Sequence, residues 1–301
     1  MGETKLYGTV IGTCLAWSAI MIIGVNLGAT GPFTALTVGL AAASTLLWPL
    51  AHLWAGGLMD GRLTITGIIL GVLLGSVGLG CQLAALALIS PLWVVGVVFC
   101  APLMAAVFFA DKVKGEGQAA LMAGYMGLVA MTGGTELTAG KIGGLALSGL
   151  GGLSLAFGLH YFQTRGRSQS RAGLAFWATV GATIFLIPAA LCEKVTLAEW
   201  SVGHLAAAVG LGAAAILGSI AWLRLIQAEN TEGNPLGLAL APIIGLMMLA
   251  ALMGLNLKGW DLAGIILVGL GLLMTGRERN KTAAVEAPGV GGVETLNRET
   301  A

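Results

Sequence analysis

The sequence predicts an all-α integral membrane protein, with ten transmembrane helices in two inverted five-helix repeats. Three observations lead there. There is too little charge to cover a water-facing surface, the uncharged stretches have the lengths of membrane spans, and the second half of the chain repeats the first in register.

Of the 301 residues, 57% are hydrophobic and 10% charged, and the mean hydropathy is +0.91. A soluble domain carries about 25% charged residues. Lys+Arg (15) and Asp+Glu (14) nearly cancel, so no basic field marks a nucleic-acid partner. The 48 Gly follow no G-x-y period and sit among Leu, Ala, Ile and Val, as they do in closely packed membrane helices.

A membrane span needs roughly 20 predominantly apolar residues, and charges mark where it must stop. The stretch between Lys5 and Asp60 holds two spans, turned at residues 28–32. The stretch between Arg62 and Asp111 holds two more, broken at Ser90-Pro91. Single spans follow over 117–135, 142–164, 172–192, 200–223, 233–257 and 262–276, the last reaching full length when extended back through Gly259 and Trp260. The apolar run after Lys5 is too long for a signal-peptide core and lacks a small-residue cleavage site, so it is the first span. Residues 277–301, with little to bury, read as a disordered cytoplasmic tail. Of the 15 Lys and Arg, only Lys141, Lys194 and Lys258 fall on the side opposite the termini. Positively charged loops stay cytoplasmic, which places both termini of a multi-pass membrane protein in the cytoplasm.

The self-similarity has a period of about 140 residues. Leu15-Ala16-Trp17 returns as Leu155-Ala156-Phe157, Pro49 as Pro188, and Leu86-Ala87-Leu88-Ile89 as Leu223-Arg224-Leu225-Ile226. Ala101-Pro102 returns as Ala241-Pro242 and Gly124 as Gly264, with a small insertion in 228–234. The repeats are therefore residues 1–135 and 136–276, followed by the tail at 277–301. Five spans per half reverse the second copy across the bilayer. In transporters that symmetry supplies two related conformations around a site between the halves. The alternative is a duplicated scaffold that moves nothing.

The residues also carry a family resemblance, over about residues 8–275. The chain resembles the EamA-type members of the drug/metabolite transporter superfamily. Trp17-Ser18 looks like their span 1 signature, Gly31-Pro32 like their opening of span 2, and Pro102 and Pro242 like their prolines inside spans 4 and 9. Gly124, Gly264 and Gly271 match their terminal helices. Asp111-Lys112 fits an acidic-basic pair frequent after span 4, whereas Asn256-Leu257-Lys258 departs from its counterpart, and an Arg common early in span 2 is missing from 34–40. The resemblance implies ten helices and the transport of amino acids, drugs, sugars or nucleotide sugars.

No Asp or Glu lies in the middle of a predicted span, so the usual intramembrane proton-coupling carboxylate is missing. The expectation is a facilitator, an exchanger, or coupling through His160, with an amphipathic or uncharged-side-chain substrate. Trp17 and Ser18 in span 1 and Phe157 at the equivalent place in span 6 either stack a substrate from two sides or pack helices. His160 and Tyr161 either bind substrate or anchor at the interface. Gln82 is a helix–helix hydrogen bond or a substrate contact, and Ser219 and Trp222 pose the same choice against packing. Backbone groups freed at Pro102 and Pro242 are candidates for meeting a polar ligand or gating. Arg224 either snorkels to headgroups or attracts an anionic group at an inward-facing mouth.

Enzyme chemistry finds little support. The three His lack H-E-x-x-H spacing, the four Cys are scattered, and the phosphate loop G-x-x-x-x-G-K-[ST] is missing. No metal and no cofactor is expected. The expected partners are a small-molecule substrate and the lipid bilayer, with room for a homodimer. The expected function is a secondary transporter of small metabolites such as amino acids or related polar and amphipathic compounds. A non-transporting scaffold and a lipid-linked flippase are the alternatives.

Overall fold

A computed structural model describes residues 3–27, 31–54, 61–109, 116–130, 138–166, 168–232 and 236–286. These residues are almost entirely helical, with no strand among them. In chain order the helices are α1 (Glu3–Leu27), α2 (Pro32–Trp54), α3 (Gly61–Ala85), α4 (Pro91–Phe109) and α5 (Glu116–Ala130), then α6 (Ala139–Gly166), α7 (Arg171–Cys192), α8 (Val202–Glu232), α9 (Leu236–Met253) and α10 (Gly259–Glu286). Among the described residues six of them, α1, α2, α3, α6, α7 and α8, are long and apolar enough to cross a membrane; α4, α9 and α10 contain shorter apolar stretches. Large apolar side chains such as Leu46, Leu53, Ile65, Leu191 and Val202 point outward and are exposed. An apolar exterior around apolar helices is the surface of a protein embedded in lipid.

Local chemistry sets the helix ends. Pro32 and Pro91 open α2 and α4, where a missing N–H costs nothing, and the chain turns at Ser90 as the sequence predicts. Ser170 caps α7 by accepting from Gly173 N at 3.4 Å. Gly254, at φ 63°, ends α9, and Leu255 N closes the turn on Ala250 O at 2.8 Å. The start of α10 at Gly259 is the extended one the sequence predicts.

Two boundaries differ from the sequence reading. Helix α8 continues to Glu232, and α10 continues to Glu286, so residues 277–286 are helical rather than a disordered tail. A helix already nucleated by its buried part propagates at little cost. Asp111, Lys112 and residues 287–301 lie outside the described residues.

Helices in lipid gain little from apolar burial against one another and associate through close packing. Here α2 packs on α7 and α8, α3 on α6 and α7, α1 on α8 and α9, α4 on α6, and α5 on α10. Glycine makes the closest crossings possible. A Cβ on Gly39 would strike the Ala208 carbonyl oxygen of α8, and one on Gly212 would strike the Gly39 carbonyl oxygen. A Cβ on Gly71 would strike the Ala178 carbonyl oxygen of α7, and one on Gly127 would come within 2.6 Å of Gly264 O on α10. The large buried side chains Trp17, Ile20, Phe99, Leu211 and Leu246 fill the space between these crossings.

Helix α3 is not uniform. Residues Gly71–Leu79 form a π-helical stretch, wider than the α-helix on either side. Its loosened backbone is held from outside, because Ser154 of α6 donates to Leu73 O at 2.7 Å.

The end of α7 also caps α2. Gly31, at φ 87°, leads into Pro32, and the next two amides need acceptors. Glu193 supplies them: Phe33 N donates to Oε1 at 2.9 Å and Thr34 N to Oε2 at 2.7 Å. The Thr34 hydroxyl donates to the same Oε2 at 2.8 Å. A carboxylate at a helix N-terminus is stabilised by both the hydrogen bonds and the dipole.

Gly39→Ala should destabilise the protein by at least about 2 kcal/mol, since backbone cannot move aside for the new methyl. Gly12→Ala, where a Cβ meets nothing within 4 Å, should be neutral or mildly stabilising. Melting of the purified protein in detergent compares them.

Candidate functional site

A cavity of about 90 Å³ opens where α2, α3, α7 and α8 meet beside the end of α6. The π-helical stretch forms one wall through Gly71, Leu74, Gly75 and Leu79, and Ala178 and Ala182 of α7 face it. The widened turns therefore lie beside the tightest α3–α7 contact. Helix α8 contributes Ser219, Ile220, Leu223 and Arg224 from one stripe of its surface.

Apart from Thr179, Ser219 and Arg224, every lining residue is Gly, Ala, Leu, Ile or Phe. The Thr179 hydroxyl is already used, donating to Phe176 O at 2.7 Å or Ala175 O at 3.1 Å. Ser219 and Arg224 have no hydrogen-bond or ion-pair partner among the described residues. Ser219 is half-buried and Arg224 exposed, and two unspent polar groups bordering an apolar cavity are what a ligand with one polar end would use.

Trp17 and Trp222 sit deeper, 2% and 3% exposed. Their indole N–H groups find no acceptor among the described residues. Trp222 meets Phe99 of α4 edge to face, with ring centroids 5.4 Å apart. Phe99 lies against Gly245 of α9, close to Cys14, whose Sγ donates to Ala241 O at 3.3 Å. Ser18 is buried beside Trp17, and Pro102 and Pro242 are buried inside α4 and α9. The two unpartnered donors lie on α1 and α8, and neither residue lines the cavity.

The remaining predicted residues are placed elsewhere. Gln82 and Ser148 bind each other reciprocally: Gln82 Nε2 donates to Ser148 O at 3.0 Å, and Ser148 Oγ donates to Gln82 Oε1 at 2.8 Å. This is the helix–helix alternative for Gln82. Phe157 is 45% exposed on the outer face of α6, so it does not pair with Trp17 around a ligand. It meets Phe109 edge to face at 4.9 Å, and His160 stacks on the same ring at 4.0 Å. Tyr161 packs on the small apolar cluster of Leu63, Leu70, Phe162 and Leu174, next to the cavity rather than in it.

Sequence reading overlooked the α2, α3 and α7 walls and the Glu193 cap. One signal was available for the walls. Gly71 and Gly75, Ala178 and Ala182, and Ala208 and Gly212 are all small residues four apart, the spacing of close helix crossings.

No protein-family model matches the chain, and no curated protein matches it. Among solved structures, one described only as the crystal structure of a protein superposes with a TM-score of 0.59 at 17% identity. The match covers 95% of this chain and 100% of that one, a likeness of fold.

Gln82→Ala should cost about 1 kcal/mol, as removing an interhelical hydrogen bond does in membrane proteins. Gln82→Ala combined with Ser148→Ala should cost less than the sum of the two single changes, measured as a double-mutant cycle on melting.

Proposed function

We propose that the chain is a secondary transporter of small metabolites, working by alternating access between two inverted five-helix repeats, α1–α5 and α6–α10. The packing pattern is the observation that carries this reading. When each helix is exchanged for the one five places along, α1–α8 becomes α6–α3, α2–α8 becomes α7–α3, and α1–α9 becomes α6–α4. All six of these contacts are present. The α2–α7 and α5–α10 contacts map onto themselves, and both are present as well. A chain of ten unrelated helices has no reason to pack in exchanged pairs.

The cavity and the Glu193 cap complete the picture. Along α7 the cavity occupies Leu174 to Ala182, and Glu193 lies roughly 16 Å further on. One end of the α2–α7 pair is hollow and the other is held shut by three hydrogen bonds. That is the arrangement of a transporter resting open to one side. With the basic loops assigned to the cytoplasm, the hollow end faces inward, in a bacterial inner membrane with both termini cytoplasmic. The resemblance to EamA-type transporters agrees with this reading.

A lipid-linked flippase is the second reading. Its support is the apolar lining with Arg224 alone as a basic group, which suits a headgroup above an acyl tail.

Cysteines placed at Lys5 and Lys141 in a background free of the four native Cys should react with an impermeant thiol reagent from opposite sides of the membrane. Reaction from one side would sink the inverted repeat. Counterflow in proteoliposomes, over amino acids, purines, sugars and organic acids, tests transport itself, and no flux with any of them favours the scaffold. Glu193→Ala should lower stability by about 1 kcal/mol. The same change should raise labelling of a cysteine at Ser219 from the outside several-fold, because it releases the closed end.

A further inference from the structure

We infer that the cavity between α2, α3, α7 and α8 binds an amphipathic anion: an apolar body in the hollow and one acidic group on Arg224, with the Ser219 hydroxyl as a neutral donor on the way. Binding stands on the lining alone; only movement of the bound anion across the membrane rests on the transport reading.

Three features define the ligand. The first is polarity. Thr179 is spent on its own helix, so the lining offers a ligand one free hydroxyl and one guanidinium. A sugar or a zwitterionic amino acid would leave most of its donors and acceptors unpaired in such a hollow. The second is the sign of charge. Arg224 has no acidic partner among the described residues, and no Asp or Glu is among the described residues that line the cavity. A cation is repelled there, whereas a carboxylate or phosphate meets a planar donor fork suited to two parallel hydrogen bonds. The third is length. Ser219 and Arg224 are on one stripe of α8, about 7 Å apart along its axis. The cavity volume of about 90 Å³ is that of roughly six waters by the same measure. A body of six to eight carbons ending in an acid fits both.

Arg224 also marks where the repeats part. Its counterpart in the first half is Ala87. The cation is thus an addition to one copy at the cavity rather than part of the shared framework.

The same chemistry reaches the site from two sources, a free amphipathic acid or the acidic headgroup of a lipid with part of its chain. The probe is radiolabelled octanoate, bound to the full chain purified in detergent and displaced by octanoate, octan-1-ol or octylammonium. Octanoate should displace it at about tenfold lower concentration than octan-1-ol, and octylammonium should not compete. Arg224→Gln should erase the preference for octanoate over octan-1-ol, and Arg224→Lys should keep most of it. Ser219→Leu, which fills the hollow, should weaken octanoate and octan-1-ol alike.

Equal displacement by octan-1-ol and octanoate, or a preference that survives Arg224→Gln, would overturn the assignment. A second arm separates the sources in phosphatidylcholine liposomes. Counterflow of octanoate identifies the free acid, and movement of a trace fluorescent phosphatidic acid between leaflets identifies the lipid; either result supports the anion site. Selective binding with neither movement keeps the site and removes the transport reading. Flux of neutral compounds without octanoate selectivity does the reverse.

Discussion

The structure depends on backbones touching. In a bilayer an apolar side chain gains nothing by leaving lipid for another helix, so association rests on van der Waals contact and on hydrogen bonds across helices. At Gly39, Gly71, Gly127 and Gly212 a methyl group would collide with the backbone of the facing helix. These positions fix the α2–α8, α3–α7 and α5–α10 crossings. They also fix the cavity, because Gly71, Gly75, Ala178 and Ala182 belong to both the crossing and the wall. The hollow lies where α3 widens into a π-helix immediately beside its tightest contact, and neither feature can shift without the other.

Within that frame, most buried polar groups are spent. Thr13 donates to Thr9 O at 2.8 Å and Thr183 to Thr179 O at 2.7 Å, each within its own helix. Gln82, Ser148, Ser154 and Cys14 reach across to neighbours. Such bonds remove the cost of a polar group in a low-dielectric interior. Subtracting them leaves, among the described residues, the buried indole N–H groups of Trp17, Trp200 and Trp222 and the Gln169 Oε1, and beside the cavity the half-buried Ser219 hydroxyl and the exposed Arg224 guanidinium. Trp17, Trp222 and Ser219 are residues the sequence singles out for substrate contact, and Arg224 is the cation it offers for an anionic group. The candidate site is thus where unused groups and the hollow coincide, at Ser219 and Arg224.

How much of this is legible in the sequence depends on how sharply a residue type constrains the backbone. Charges must leave the bilayer, so most span limits are readable. Ser90-Pro91 breaks the chain because proline lacks an N–H, and Gly259 starts α10 where the apolar run needs length. Orientation is harder. On α6 the small residues four apart, Gly144, Ser148, Gly152 and Ala156, mark a packed face, but large apolar residues such as Leu155 and Phe157 carry no such mark, and of these two only Leu155 is buried while Phe157 faces outward. Glu193 reads as one more loop charge, because its partners are main-chain amides at residues 33 and 34, distant in sequence. The π-helical stretch depends on Ser154 of another helix, and α10 extends into the predicted tail because its buried part has already nucleated it.

The two ends of the α2–α7 pair are joined by different chemistry, and the proposed mechanism needs that difference. At one end a carboxylate holds two amides and a hydroxyl, all directional bonds with narrow geometry. At the other, Trp48 meets Phe176 edge to face at 5.3 Å, and Phe176 meets Trp177 at 5.2 Å. Ring contacts tolerate sliding and tilting with little loss, because edge-to-face and offset arrangements differ little in energy. A carboxylate cap that moves by an ångström loses its bonds. Two halves that were identical in every contact would favour neither side. In the proposed cycle the end held by Glu193 stays shut while the aromatic end, next to Leu174 and Ala175 of the cavity wall, parts. On the proposed transport reading, the bias toward one open side rests on Glu193 and its partners rather than on the cavity, and reversing it means taking that carboxylate off the start of α2.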